Sequence, residues 1–164
     1  MKESKPEIEV ELRPTRVEDL EHLFQFQLDE EATVMAAFTP AQRTDKSAFL
    51  SKYSKLLDEP TVNMKTILLN DNIIGSISKF ELEGKAELTY WIDRKFWGKG
   101  IATIALQKLL ADEPARPIYG RTAFDNIASQ KVLEKCGFHK IGTDKGFANA
   151  RQTEIEEFIY ELRS

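Results

Sequence analysis

Residues 62–93, VNMKTILLNDNIIGSISKFELEGKAELTYWID, constrain the fold more than any other stretch of the chain. Three runs, VNMKTILL, IIGSISKFEL and KAELTYWID, are rich in β-branched, aromatic and aliphatic residues, and only Asn70-Asp71-Asn72 and Glu83-Gly84 separate them. Connections this short join antiparallel neighbours, because a parallel return needs a crossover of a dozen residues or more. Gly98-Lys99-Gly100 follows almost at once and opens a helix from about Lys99 to Ala111, beyond which stand Pro114 and Pro117.

The flanking segments extend this pattern. EIEVELR (7–13) alternates, with Ile8, Val10 and Leu12 on one face, and reads as a half-buried strand ended by Pro14. Thr15-Arg16-Val17-Glu18 has the form of a capping box, and the helix it would start carries Val17, Leu20, Phe24 and Leu28 on one stripe. A second helix is expected from about Thr44 to Leu57, stopped by Pro60. EEATVMAAFTPAQR between the two reads as an irregular connection with Met35 and Phe38 exposed. PIYGRTAF is a further strand. A short helix from about Ser129 to Cys136 ends at Gly137, and FHKI and EIEEFIYEL complete the strands. The order β-α-α-β-β-β-α-β-α-β-β predicts a mixed α/β (α+β) fold in one domain, 1–164.

Composition narrows the function. Acidic residues number 27 against 23 basic ones, a net charge of −4, which disfavours binding of nucleic acid through its phosphates. The lone cysteine, Cys136, allows no internal disulfide and reads as core beside Val132. No window approaches a membrane span, and MKESKPEIEV lacks a signal sequence, so no membrane partner and a cytoplasmic location are expected. His22 and His139 stand near no cysteine, so no metal is expected. Composition does not select an oligomeric state, although a homodimer is a common soluble assembly.

The glycine loop carries the first functional signal. Gly98, Lys99, Gly100, Ile101 and Ala102 can present successive amides to a phosphate at a helix start, with Lys99 adding a cation. The alternative is that the two glycines only shape a strand-to-helix turn. A Walker loop is excluded because Gly100 and Ile101, not Ser or Thr, follow Lys99. A dinucleotide fingerprint is excluded by Thr103 in place of a small residue and by the lack of an acidic partner at a later strand end.

Lys95-Phe96-Trp97-Gly98-Lys99-Gly100 resembles the Q/R-x-x-G-x-G/A loop of the GNAT family of acetyl-CoA-dependent N-acetyltransferases, with Lys95 in place of Gln or Arg. WIDRKFWGKGIAT and NIASQKVLEKCGF, the latter through Asn126, Ser129, Lys135, Gly137 and Phe138, are similar to segments of its ribosomal-protein N-acetyltransferase branch. EIEVELRPTRVEDLEHLF resembles that branch's first strand and helix, and EEFIYELR its last strand. The resemblance implies a mostly antiparallel sheet splayed between strand 4 (about 86–92) and strand 5 (about 118–124). It implies acetyl-CoA in the gap, its diphosphate on the glycine loop, and its pantetheine arm along strand 4 near Trp91 and Ile92. Asn126 would contact the arm from the other side. Trp91 and Trp97 have a packing reading as well as a cofactor-contacting one.

Acetyl transfer to a primary amine, either a protein N-terminus or a small molecule, needs a base, a donor for the oxyanion and a departing thiolate. Glu87 occupies the strand-4 position that carries the catalytic glutamate in the histone-acetyltransferase branch, and it reads either as the base or as a solvent-facing strand residue. A backbone amide of strand 4 serves the oxyanion. Many family members carry a proton-donating tyrosine seven residues after the asparagine, where Leu133 stands here. Three readings remain for the thiolate. Ser129 donates the proton, as implied for the ribosomal-protein branch; or no acid is needed, a thiol of pKa about 8.5 leaving tolerably; or Tyr90 or Tyr119 serves. Ser129 also reads as a helix cap. The departure at Leu133 equally allows a coenzyme A sensor or scaffold without transfer activity. A phosphate-binding domain unrelated to coenzyme A is a further alternative. Residues 29–42 are expected to face the acceptor.

Overall fold

The computed structural model describes residues 9–164, so Ile8, assigned above to the first strand face, lies outside the described residues. Seven strands form one sheet: β1 (Val10–Pro14), β2 (Asn63–Leu69), β3 (Asn72–Leu82), β4 (Lys85–Ile92), β5 (Ile118–Ala123), β6 (His139–Ala148) and β7 (Thr153–Leu162). Their spatial order is β1-β2-β3-β4-β5-β7-β6. The 62–93 meander forms as the turn spacing requires, with Ile77 opposite both Lys65 and Tyr90. Every neighbouring pair is antiparallel except β4–β5. That parallel pair is the one whose crossover holds a helix, as chain geometry demands.

Helices α1 (Leu20–Phe26), α2 (Glu30–Ala36), α3 (Lys46–Leu57), α4 (Ile101–Asp112) and α5 (Ile127–Lys135) cover the two faces. Strand alternation divides the core between them. Ile67, Ile74, Ile77, Leu88 and Ile92 pack with Ile101, Ala105, Leu106 and Leu109 of α4 and with Leu133 of α5. Met64 turns the other way and packs with Leu20, Leu23 and Phe24 of α1 and Phe49 of α3. Burying each such large side chain contributes about 1.5–3 kcal/mol. No helix among the described residues is long and apolar enough to cross a membrane.

Three local expectations are corrected. The helix start near Thr15 is organised by Arg16 and Asp19, not by Thr15 and Glu18: the Asp19 carboxylate accepts the Arg16 amide at 2.8 Å. Asp19 wins because it is buried and also holds Arg13 and Thr66, whereas Thr15 bonds the Thr66 hydroxyl. A 3₁₀ turn (Val17–Asp19) therefore precedes α1, leaving Val17 exposed, and Leu28 lies past the helix end. Thirdly, the segment after Leu28 is not irregular but contains α2. Asp29 caps it by accepting the amides of Glu31 and Ala32, and Ala37, with φ +66°, ends it. Met35 is exposed, whereas Phe38 is half-buried against Ala37, Ala123 and Ala148.

Candidate active site

Register places an opening in the middle of the sheet. β4 and β5 pair only through Ala86–Ile118, Glu87–Tyr119 and Leu88–Gly120. β4 continues to Ile92 and β5 to Ala123 without further pairing between them. Two cavities, of about 530 and 830 Å³, meet at this gap, and Ala36, Tyr90, Trp91, Asn126 and Ser129 line both.

The smaller cavity is built around the glycine loop. Asp93 leaves β4 and accepts the Lys95 amide, starting a 3₁₀ turn (Arg94–Phe96) that brings Trp97 back under the strand. Trp97 Nε1 donates to the Ile92 carbonyl at 2.9 Å. The Asp93 amide of the same peptide donates to Ile74 on β3, so the Ile92 carbonyl points to the gap side, where the indole already occupies it. Gly98 and Gly100 both have φ +76°, and a Cβ at either would meet nothing within 4 Å. The backbone therefore requires glycine there, as the turn-shaping reading expects, and the space beside it is open. Gly100 caps α4 without a side chain, so the helix begins at Ile101, two residues later than expected, and its first amides have no intrahelical acceptors. A diphosphate fits this cradle, and the cavity beyond is large enough for a pantetheine arm. Trp91, Ile92, Trp97, Gly98, Gly100, Ile101, Ala102 and Asn126 line it. Lys95 and Lys99 do not, and the Lys99 ammonium lies 5.7 Å from the centre of the Phe96 ring. Lys131 of α5, which sequence reasoning passed over, and Lys135, singled out only within the NIASQKVLEKCGF resemblance, do line it.

Gly100→Val is expected to destabilise the fold by roughly 1–2 kcal/mol, since valine is strained at positive φ. It is expected to weaken acetyl-CoA binding at least tenfold, because its branch fills the open approach to the amides. Calorimetry on the folded variant checks this, and an unchanged Kd would reduce the loop to a turn.

On the opposite lip, Asn126 caps α5 by accepting the Ser129 amide at 3.3 Å. This corrects the reading of Ser129 as the cap: it stands three residues inside, and its hydroxyl lies 2.8 Å from the Tyr90 hydroxyl. Burial pushes the Tyr90 phenol above its ordinary value, with the Ser129 hydrogen bond drawing it back. Tyr119 lies elsewhere, beside Glu161 and with Lys85 over its ring, and lines neither cavity. Leu133 is buried beneath Gly120, where a glycine Cβ would collide with its methyls.

The larger cavity holds Glu87. Its carboxylate is buried and accepts Arg121 Nε at 3.2 Å, so it is not a solvent-facing strand residue. Arg121 also pairs with Glu157 at 3.1 Å and Asp144 at 3.6 Å. Register explains the cluster, because Glu87 pairs with Tyr119, Ala123 with Glu157, and Glu157 with Asp144, which puts all these side chains on one face. Burial pushes the Glu157 carboxyl above its ordinary range, while Arg121 pulls it back. Sequence reasoning missed Arg121, Asp144 and Glu157. The only signal was the charged positions within alternating strands.

The short helix α2 roofs the junction. Ala32, Met35 and Ala36 line the smaller cavity, and Ala36 and Phe38 the larger. Arg94 ties α2 to the glycine loop through Asp29 at 2.7 Å and Glu31 at 2.9 Å. Arg151 ties its far end to the β5–α5 turn by donating to the Val34 carbonyl and pairing with Asp125.

A sheet opened between two parallel strands, with a glycine cradle at one mouth, agrees with a comparison against known families. The family model described as Acetyltransferase (GNAT) domain matches residues 9–139. The chain belongs to the GNAT acetyltransferase family. It is an acetyl-CoA-dependent acyltransferase, and the readings without transfer activity or without coenzyme A fall away. The chain is similar to the uncharacterized N-acetyltransferase p20 of Bacillus licheniformis, with 27% identity over 161 residues, 92% of this chain and 90% of that one. Among solved structures, the acetyltransferase resembles the microcin self-immunity acetyltransferase MccE, in complex with acetyl-CoA and AMP, with a TM-score of 0.80. Identity there is 19%, over 95% of this chain and 93% of that one. It also resembles RimL, a ribosomal-protein α-N-acetyltransferase in complex with coenzyme A, with a TM-score of 0.73 and 21% identity over 92% of each chain.

Proposed function

We propose that this acetyltransferase moves the acetyl group of acetyl-CoA to a primary amine by direct attack in a ternary complex. The observation that carries the reading is the meeting of two cavities at the β4–β5 gap, one with the glycine cradle and the other with a buried carboxylate. Acetyl-CoA supplies the activated acetyl group, entering from the glycine side. Gly98, Gly100 and the first amides of α4 hold its diphosphate, and the Tyr90–Ile92 stretch of β4 lies along its arm. The acceptor enters from the other side, where Glu83, Glu87, Asp144 and Glu157 outnumber Lys52 and Arg121 and attract an ammonium ion.

Glu87 takes the proton that the amine must lose. Arg121 holds its Oε1, which fixes the carboxylate, and Oε2, without a hydrogen-bond partner among the described residues, takes the proton directly or across one water. A backbone amide of the unpaired part of β4 stabilises the oxyanion. Ser129 stands at the junction to protonate the departing sulfur. An α-amino group, with a pKa near 8, asks less of Glu87 than a lysine with a pKa near 10.4. The fold shared with RimL supports a protein N-terminus as one acceptor class, and small-molecule amines are the other. A thiol-release assay across N-terminal peptides, lysine side chains and small amines, with product masses, tests the proposal. If no amine raises release above background while acetyl-CoA binds, the reading fails.

A further inference from the structure

The hydrogen bond between Tyr90 and Ser129 joins the two lips of the gap, one hydroxyl on β4 and the other on α5. Both residues line both cavities, so the pair stands where an acyl group passes from one side to the other. Ser129 alone is a poor acid, because an aliphatic alkoxide is much more basic than a thiolate. A phenol is far closer in acidity to a thiol, about 10 against about 8.5 in the ordinary state. Burial pushes the Tyr90 phenol above that ordinary value, so it is protonated at neutral pH and releases its proton only as negative charge builds on the neighbouring hydroxyl. Asn126 fixes Ser129 by accepting its amide, and Ile92 and Leu88, on the same face of β4, are packed in the core. Neither hydroxyl has another hydrogen-bond partner among the described residues.

We infer that Tyr90 and Ser129 form a two-hydroxyl relay in which Tyr90 supplies the proton that Ser129 hands to the leaving sulfur. The inference rests on the acetyl-transfer reading above. As the carbon–sulfur bond breaks, its electron pair goes to sulfur. Sulfur takes the Ser129 hydroxyl proton while Ser129 takes that of Tyr90, and the resulting phenolate is reprotonated from solvent. Ser129 is the group that touches the sulfur, and Tyr90 is a proton-supplying residue acting through it.

Tyr90→Phe and Ser129→Ala separate this relay from a merely structural hydrogen bond. In single-turnover transfer from acetyl-CoA, each is expected to slow the reaction about 10- to 100-fold. With the selenoester analogue of acetyl-CoA, whose selenolate leaves without a proton, each is expected to slow it less than about threefold. Equal slowing with both donors, or no slowing with acetyl-CoA, overturns the relay. A binding measurement needs no turnover. Wild-type protein is expected to prefer coenzyme A over desulfo-coenzyme A by about tenfold, and both variants are expected to lose that preference. An unchanged preference overturns the proposal. If Tyr90→Phe melts early, 3-fluorotyrosine at position 90 carries the test: it keeps the hydroxyl but acidifies it, and a rate with acetyl-CoA no different from wild type overturns the relay. Should the wild-type protein transfer acetyl to no amine, the proposed function fails, while the binding arm still reports on the hydroxyl pair.

Discussion

Glu87→Gln lowers kcat/KM for amine acetylation by about 100- to 1000-fold while acetyl-CoA binds as tightly as before. The expected loss is that of a positioned general base, which contributes about 10²–10⁴. Binding is spared because Glu87 lines the larger cavity and not the one with the glycine cradle. The amide is close in shape to the carboxylate and keeps an oxygen for Arg121 Nε, which remains paired with Glu157, so the fold is retained. Steady-state kinetics with calorimetry decide the matter. The loss should shrink as pH rises past the pKa of the acceptor amine, because a deprotonated amine needs no base. A variant as fast as wild type at neutral pH would show that Glu87 only anchors Arg121.

The second large effect concerns stability and lies far from the gap. Asp19 is buried, receives both Arg13 guanidinium nitrogens at 2.6 and 2.8 Å, and accepts from the Arg16 amide and the Thr66 hydroxyl. Burial raises its pKa, but the Arg13 hydrogen bonds and the other donors overcome this and hold it at about 2, against an ordinary 3.8. A carboxyl with a folded pKa below its unfolded one contributes stability above the unfolded value, lost as pH falls through the folded one. The contribution of Asp19 is therefore complete above about pH 4 and disappears toward pH 2, and its size is roughly 2 kcal/mol. Asp19→Asn removes this charge and leaves Arg13 without its partner. The expected cost near neutral pH is about 3 kcal/mol, a fall in Tm of roughly 6–12 °C. Between pH 4 and pH 2 the two proteins should converge. A gap in Tm that stays constant over that range would assign the loss to shape rather than charge.

Much of the architecture was legible because its signals are local. The 62–93 strands are separated by turns too short for anything but antiparallel return, and they pair so, with a register shift between Ile67 and Leu68 that turn length does not announce. Gly98, Gly100 and Gly137 were legible as backbone positions, and all three have positive φ. Helix α2 was not legible. Seven residues carry too few periods to show a stripe, and what holds it is an aspartate cap with Arg94 and Arg151 reaching from distant parts of the chain. Asp19 rather than Glu18 organises the start of α1 for a similar reason: Arg13 and Thr66 on the sheet select the acid that can be buried.

The site divides along the same line. Glycine spacing, the antiparallel meander of 62–93 and the helix after the loop follow from residue type alone, since steric freedom, turn length and hydrophobic period are properties of short segments. The environment of Glu87 does not. Arg121, Asp144 and Glu157 meet it only because β5, β7 and β6 are laid side by side in one register. The hydroxyl pair of Tyr90 and Ser129 exists only because α5 packs across the end of a strand 39 residues earlier. Charge and hydrogen bonding depend on distance in space, and that distance is set by packing.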